Sequence, residues 1–342
     1  MKRIVICFDG TWNRPERLGE KDDYPTNVLK FARGIAPTDG GTKQVVFYDW
    51  GIGSYHAGAT GGGFGKGLEK NVMDGYRFLV HNYEPNDQIY LFGFSRGAYT
   101  ARSLCGMINN CSILKSSHAN MIEEAFELYK NPDHSANGDY SINWKTQNSV
   151  ETQTKVHFVG VWDTVGSMGV PFSFLGFLNR KHAFYDHKIG SNISFARHAL
   201  ALDEIRNDFY PTIWEPKDGV DLKQVWFAGA HSDIGGGYPP DEADKSRLSD
   251  ISMKWMKKEA FDKGLKFDTD FGNVQLNPNS HLNDSYSGMI KLLGKKQREI
   301  PDPAKIPTLL HQSVADRIQQ GYKNKTLKKF EKKYGRLPDI EQ

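Results

Sequence analysis

Three short segments of this 342-residue chain hold residue types that could carry nucleophilic chemistry. The first runs Gln88-Ile-Tyr-Leu-Phe-Gly93-Phe94-Ser95-Arg96-Gly97-Ala98, a hydrophobic run that enters Gly-x-Ser-x-Gly and leaves in a helical pattern. A serine is best placed to attack when a sharp strand-to-helix turn lifts its hydroxyl above the sheet, and small flanking residues let strand and helix approach. Gly93 and Gly97 meet that need. The amide of Arg96, at the positive end of the following helix, is a candidate oxyanion donor. The second segment, Val156 to Val165, ends its apolar run at Trp162-Asp163-Thr164, and the third, Val225 to Gly237, ends at Ala230-His231-Ser232-Asp233.

A serine hydroxyl is inert until a general base takes its proton. The chain order Ser95, Asp163, His231, each just past a strand pattern, is the order in which an α/β-hydrolase supplies nucleophile, orienting acid and base. Asp233 and Asp203 are rivals for the acid, and a helix cap or structural acceptor is the bland reading of Asp163. His311 lies in a helical, peripheral context and reads as structural. No histidine has ligand partners at metal spacing, so neither a metal nor another cofactor is expected.

Other segments invite chemistry and mostly lose it on inspection. Asp9-Gly10-Thr11 resembles a phosphatase Asp-x-Asp-Gly-Thr motif, but Cys7 stands where the nucleophilic aspartate belongs. The amide of Gly10 or Thr11 is better read as the second oxyanion donor, from a loop beside the serine. Residues 51 to 67 carry eight glycines and nearly form a P-loop, yet Thr60 and Gly67 replace its first glycine and its Ser or Thr. That stretch reads as an active-site loop or an irregular connection. Between Asp163 and His231, the aromatic run containing Phe172, Phe174 and Phe177 is a candidate lid or acyl-chain surface, with core packing as the alternative.

These residues need a scaffold of alternating elements. Strand patterns cover Arg3 to Phe8, Gln44 to Tyr48, Gln88 to Phe94, Lys155 to Trp162 and Gln224 to Ala228. Helical patterns cover Asn27 to Ile35, Leu68 to Asn82, Ala98 to Asn109, Met121 to Tyr129, Ser191 to Leu202 and Ser249 to Lys258. The alternation predicts an α/β fold, a mostly parallel central sheet with helices on both faces, and the order Ser95, Asp163, His231 makes the expected class α/β-hydrolase-like. A catalytic domain over residues 1–320 and a basic, helical C-terminal tail over 321–342 are expected. Residues 291 to 342 hold 13 Lys and Arg against 6 Asp and Glu, a charge that suits an anionic surface or a solvated helical end.

Composition sets the outer bounds. With 38% apolar and 25% charged residues the chain can bury a large core, which excludes disorder, collagen and coiled coil. Cys7, Cys105 and Cys111 are odd in number and lack zinc-finger spacing. The basic start reaches Asp9 after five apolar residues, too few for a signal-peptide core, so synthesis in the cytoplasm without a general-secretion signal is expected. No run of 18 apolar residues could span a bilayer. A nucleic-acid enzyme lacks support, since stacking motifs and a true P-loop are missing.

The segments Phe8-Asp-Gly-Thr-Trp-Asn13, Tyr48-Asp-Trp-Gly-Ile-Gly53, Gly93-Phe-Ser-Arg-Gly-Ala-Tyr-Thr-Ala-Arg102, Val161-Trp-Asp-Thr-Val-Gly166, Ala199-Leu-Ala-Leu-Asp-Glu204 and Phe227-Ala-Gly-Ala-His-Ser-Asp-Ile-Gly-Gly-Gly-Tyr238 together resemble the type VI secretion phospholipase-effector family of α/β-hydrolases. The resemblance covers residues 1 to about 320. It implies a nucleophile at Ser95, an acid at Asp163 and a base at His231, and hydrolysis of phospholipid or other acyl esters through an acyl-enzyme. It also implies a membrane surface as the place of work, an immunity or adaptor protein as partner, and export by a type VI secretion system. The chain ends soon after these motifs, whereas effector members commonly carry a long C-terminal docking region. The alternative is a non-catalytic or accessory binding protein that keeps the hydrolase fold.

Overall fold

The apolar runs become the strands of a single eight-stranded sheet. In the computed structural model the described residues are 1–10, 13, 24–51, 62–165, 188–286 and 294–341. In chain order the strands are β1 (Arg3–Phe8), β2 (Thr38–Asp39), β3 (Thr42–Asp49), β4 (Gln88–Phe94), β5 (Val156–Trp162), β6 (Ile193–Ala201), β7 (Asp221–Phe227) and β8 (Leu309–Leu310). They lie side by side as β2-β3-β1-β4-β5-β6-β7-β8, all parallel except the β2 and β3 pair. The mostly parallel α/β class expected from the sequence is the class found.

A parallel sheet must be covered on both faces, and the period of two in each strand divides the core accordingly. On one face Ile4, Ile6 and Phe8 of β1 pack with Val72, Tyr76 and Leu79 of α2 (Gly62–Asn82), Leu104 and Ile108 of α3 (Arg96–Cys111) and Ala125 of α4 (Ile122–Lys130). On the other, Val5 and Cys7 pack with Val28 and Phe31 of α1 (Asn27–Gly34). Helix α1 starts where it does because the Thr26 hydroxyl accepts from the Leu29 amide and caps the first turn. The polar helix α5 (Asp139–Asn148) follows α4, and the short α6 (His231–Gly235) follows β7. Helix α7 (Leu248–Asp262) covers the second face with Ile251, Met253 and Met256.

The segment from Ser191 to Leu202 departs from expectation. Its Ala, Arg and Leu content reads as a helix, yet it forms β6 between β5 and β7, buried along most of its length. Packing within a central sheet outweighs local preference there. At the sheet's far edge, Val314 of α8 (Gln312–Gln319) and Leu327 and Phe330 of α9 (Lys325–Tyr334) bury against Leu200 and Trp226. The helix of the basic C-terminal stretch is therefore docked on the sheet through its apolar side.

The strand order reverses beside β1, because the chain runs outward from β1 to β3 and then returns to place β4 on the opposite side. In parallel sheets the crevice at the carboxyl ends beside such a reversal is where ligands bind. The ends of β1, β4 and β5 meet there, and these strands lead directly into Asp9, Ser95 and Asp163.

Candidate active site

Ser95 sits in the turn between β4 and α3 with φ 58° and ψ −120°, a backbone conformation that side chains other than glycine rarely adopt. Such strain costs on the order of 1–3 kcal/mol and persists only where surrounding structure enforces it. The enforcement is visible. The Ser95 amide donates to the Trp162 carbonyl at 3.1 Å, and its own carbonyl accepts from the Tyr99 amide at 3.3 Å. A Cβ at Gly93 would lie 2.4 Å from the Gly97 oxygen, and one at Gly97 would lie 2.2 Å from the Phe8 oxygen, so strand, turn and helix can close up only with both glycines.

Asp163 follows β5 at φ 41° and is completely buried. Its Oδ1 accepts from the Ala201 amide at 3.0 Å and from Arg298 Nη1 at 2.6 Å. Its Oδ2 accepts from Arg298 Nη2 at 2.8 Å and meets His231 Nδ1 at 2.6 Å. Burial alone would raise the Asp163 pKa, but the Arg298 guanidinium and the His231 hydrogen bond outweigh it and hold the carboxyl well below the usual carboxylate range. An ionised carboxylate can only accept, so His231 Nδ1 carries the proton and the neutral ring leaves Nε2 as its basic nitrogen. Burial lowers the His231 pKa, opposed by Asp163 and Glu204, which favours that neutral form.

The imidazole is held from several sides. Phe94 lies 4.6 Å and Phe209 4.8 Å from it between ring centroids, and the Arg206 guanidinium covers Phe209 at 3.5 Å. Buried Glu204 accepts from the His231 amide at 3.2 Å and from Arg206 Nη2 at 2.8 Å. Ser95 directly follows Phe94, the residue whose ring meets the imidazole. Among the described residues no hydrogen bond joins Ser95 to His231, a contact that commonly tightens only when substrate is bound.

The rival acids are turned elsewhere. Asp233 accepts from the Ala230 amide at 3.0 Å and from Asn283 Nδ2 at 2.6 Å, and burial pushes its carboxyl up to about 6. Asp203 accepts from the Gly229 amide at 2.7 Å and from the Tyr322 hydroxyl at 2.6 Å. Of the three aspartates weighed, Asp163 is the one bonded to the His231 ring.

Of the proposed oxyanion donors, Arg96 opens α3 directly after Ser95. Gly10 stands beside the turn, where a Cβ on it would lie 3.3 Å from that of Ser95. Its amide, however, donates to Asp9 Oδ1 at 2.8 Å, so in this state it is paired with a carboxylate rather than turned to a substrate. Asp9 also accepts from Thr26 Oγ1 at 2.6 Å and from the Tyr48 hydroxyl at 2.7 Å, and burial raises its carboxyl to about 6. Thr11 and the candidate lid residues Phe172, Phe174 and Phe177 lie outside the described residues.

Arg298, Arg206 and Phe209 escape sequence reasoning because no spacing links them to the catalytic motifs. Glu204 closes one of the segments that carry the family resemblance, yet without the fold nothing assigns it to the His231 amide.

The mostly parallel sheet thus carries a strained serine, a buried aspartate and a histidine bonded to it past three of its strands. Residues 2–259 match the family described as T6SS, phospholipase effector Tle1-like, catalytic domain, and the chain belongs to that family. It is 29% identical over 238 residues to the uncharacterized protein YEL023C of Saccharomyces cerevisiae, covering 63% of this chain. The chain spans only 33% of the length of that curated relative. A crystal structure of an uncharacterized protein from Pseudomonas aeruginosa superposes with a TM-score of 0.47 at 16% identity, over 80% of this chain and 47% of that one. Among the described residues no helix is long and apolar enough to cross a membrane.

Proposed function

We propose that the protein is a serine hydrolase of phospholipid acyl esters that works through an acyl-enzyme. The observation that carries the proposal is the 2.6 Å bond between Asp163 and His231 Nδ1 beside the strained Ser95 turn, in a chain of a phospholipase-effector family. Ser95 Oγ attacks the acyl carbon as His231 Nε2 takes its proton. Asp163 orients the ring and favours the imidazolium as it forms. The tetrahedral oxyanion is held by the Arg96 amide and by an amide of the Gly10 and Thr11 loop, which must turn from Asp9 if Gly10 is the donor. Collapse expels the lysophospholipid alkoxide, which takes the proton from His231. Water, deprotonated by the same nitrogen, then cleaves the acyl-Ser95 ester and releases the fatty acid. Delivery through a type VI secretion system and capture by an immunity or adaptor protein extend the proposal from the family. So does division of the chain into a catalytic domain over 1–320 and a basic C-terminal element over 321–342.

Mass analysis of the products from a mixed phospholipid and lysophospholipid panel, with Ser95→Ala as control, tests the reading. Free fatty acid must appear with the wild type and vanish with the variant. A fluorophosphonate probe that fails to label Ser95 would instead point to a binding protein. Asp163→Asn should lower kcat at least about 100-fold, because an unoriented histidine in the wrong tautomer is a poor base. Asp233→Asn should stay within a few-fold of wild type, since that side chain holds Asn283 and the start of α6. A reversal of the two results would assign the acid to Asp233.

The aromatic run supports a further test. If Phe174 and Phe177 meet lipid, replacing both with Ser should weaken vesicle binding by about two orders of magnitude or more and spare a soluble short-chain ester. A parallel fall in melting temperature and both activities would place those rings in the core.

A further inference from the structure

The guanidinium of Arg298 comes from beyond the family-matching residues, which end at 259, and is among the most deeply buried charges in the chain. Its two Nη atoms take both oxygens of Asp163, at 2.6 and 2.8 Å. The same atoms donate to the carbonyls of Ala201 and Phe209, each at 2.7 Å. The segment that carries it is tied down along its length. Lys296 donates its amide to the Ile205 carbonyl at 2.9 Å, and the Arg298 carbonyl accepts from Thr326 Oγ1, at the start of α9, at 3.0 Å. A chain of contacts therefore runs from the C-terminal helix through Arg298 and Asp163 to the His231 ring.

We propose that Arg298 is a positioning residue for the hydrolysis, supplied by the C-terminal segment, and that its planar fork fixes the Asp163 carboxylate so that Oδ2 faces His231 Nδ1 while its charge keeps the histidine a free base. The inference rests on the serine-hydrolase reading above. Its physical basis is the burial of Asp163, which leaves that carboxylate dependent on cations within reach. With Arg298 present the charge is balanced and the ring can stay neutral. Without it, the uncompensated charge of Asp163 draws a proton onto His231, which removes the base near neutral pH and is undone by raising the pH.

Among the described residues, Asp163 from the end of β5 bonds the ring, Glu204 from the loop after β6 bonds the His231 amide with Arg206 paired to it, and Arg298 from the C-terminal segment reaches the ring's partner Asp163. Asp233, on the ring's own helix, faces Ala230 and Asn283. His198 on β6 accepts from the Thr164 amide, and burial pushes it down to about 3, so it stays uncharged over the range concerned.

The test compares wild type, Arg298→Met, Arg298→Lys, Asp163→Asn and the Asp163→Asn/Arg298→Met double variant in the full chain. The pH dependence of kcat/KM on a soluble ester is read beside histidine titration by long-range proton–nitrogen NMR, with His231 assigned from His231→Gln. In Arg298→Met the acid limb of the rate and the His231 titration should both move up by about one pH unit or more, with lost rate recovered at high pH. Arg298→Lys keeps a charge but not the fork, so it should lose about tenfold in kcat with a smaller pH shift. Adding Arg298→Met to Asp163→Asn should cost less than about threefold more, because the arginine acts through that carboxylate. The double variant removes the Asp163 charge together with its arginine partner, so no carboxylate is left unpaired at position 163, and it remains informative if Arg298→Met alone unfolds. A loss from Arg298→Met that is the same at every pH and equally large on the Asp163→Asn background would overturn the inference, as would an unmoved His231 titration. Activity surviving Ser95→Ala would instead sink the hydrolase reading, and the NMR result stands apart from that outcome.

Discussion

Replacing Ser95 or His231 with alanine will lower kcat/KM for ester hydrolysis by about 10⁴-fold or more, because nucleophile and base fail together when either is lost. The Ser95→Ala/His231→Ala double variant should then be scarcely worse than either single variant. Such non-additivity distinguishes a chemical unit from two independent contributors. The folded state should survive the serine change, since Ser95→Ala removes one oxygen and leaves the backbone bonds to Trp162 and Tyr99 in place. His231→Ala deletes a ring lodged between Phe94 and Phe209 and should lower the melting temperature by several degrees without unfolding the chain. Rates and thermal scans on the same preparations check this. A His231→Ala protein that keeps more than about 1% of the wild-type rate would show that another group takes the serine's proton.

Ser95, Asp163 and His231 were legible in the sequence because each ends an uninterrupted apolar run. In a parallel sheet such runs become adjacent buried strands whose carboxyl ends converge. The order of strands was not legible. Nothing local says that β4 returns beside β1, yet that reversal is what sets Asp9 and Gly10 next to Ser95. Strand β6 was hidden for a different reason, since Phe195-Ala-Arg-His-Ala-Leu-Ala suits a helix and becomes a strand only by filling the gap between β5 and β7. Arg298 was hidden in a lysine-rich stretch that reads as a solvated end. Its role depends on a contact 135 positions away in the chain, with Asp163. Motifs report chemistry that local geometry must build, whereas electrostatic support can arrive from anywhere the fold brings it.

Gly97→Ala should destabilise the protein by about 4 kcal/mol or more, a size reserved for a few named mechanisms. The mechanism here is backbone contact. The added carbon would meet the Phe8 oxygen at 2.2 Å, at the end of β1, and the Asp9 oxygen at 2.5 Å, just past it, and neither backbone atom can rotate away as a side-chain tip could. Relief requires α3 to lift from β1, which would open the Ser95 turn and shift the amide of Arg96. Stability and hydrolysis should therefore fall together, and against a typical total of about 5–15 kcal/mol the variant would be partly unfolded at working temperature. Gly219→Ala supplies the comparison, since Gly219 has φ +82° with nothing within 4 Å of the added carbon. Its penalty is conformational alone, about 1–2 kcal/mol, and it should leave kcat untouched. Denaturant unfolding of both variants beside the ester assay separates the two causes. If Gly97→Ala unfolds no more readily than Gly219→Ala and keeps its activity, then close approach of β1 and α3 is not what holds Ser95 in its strained conformation.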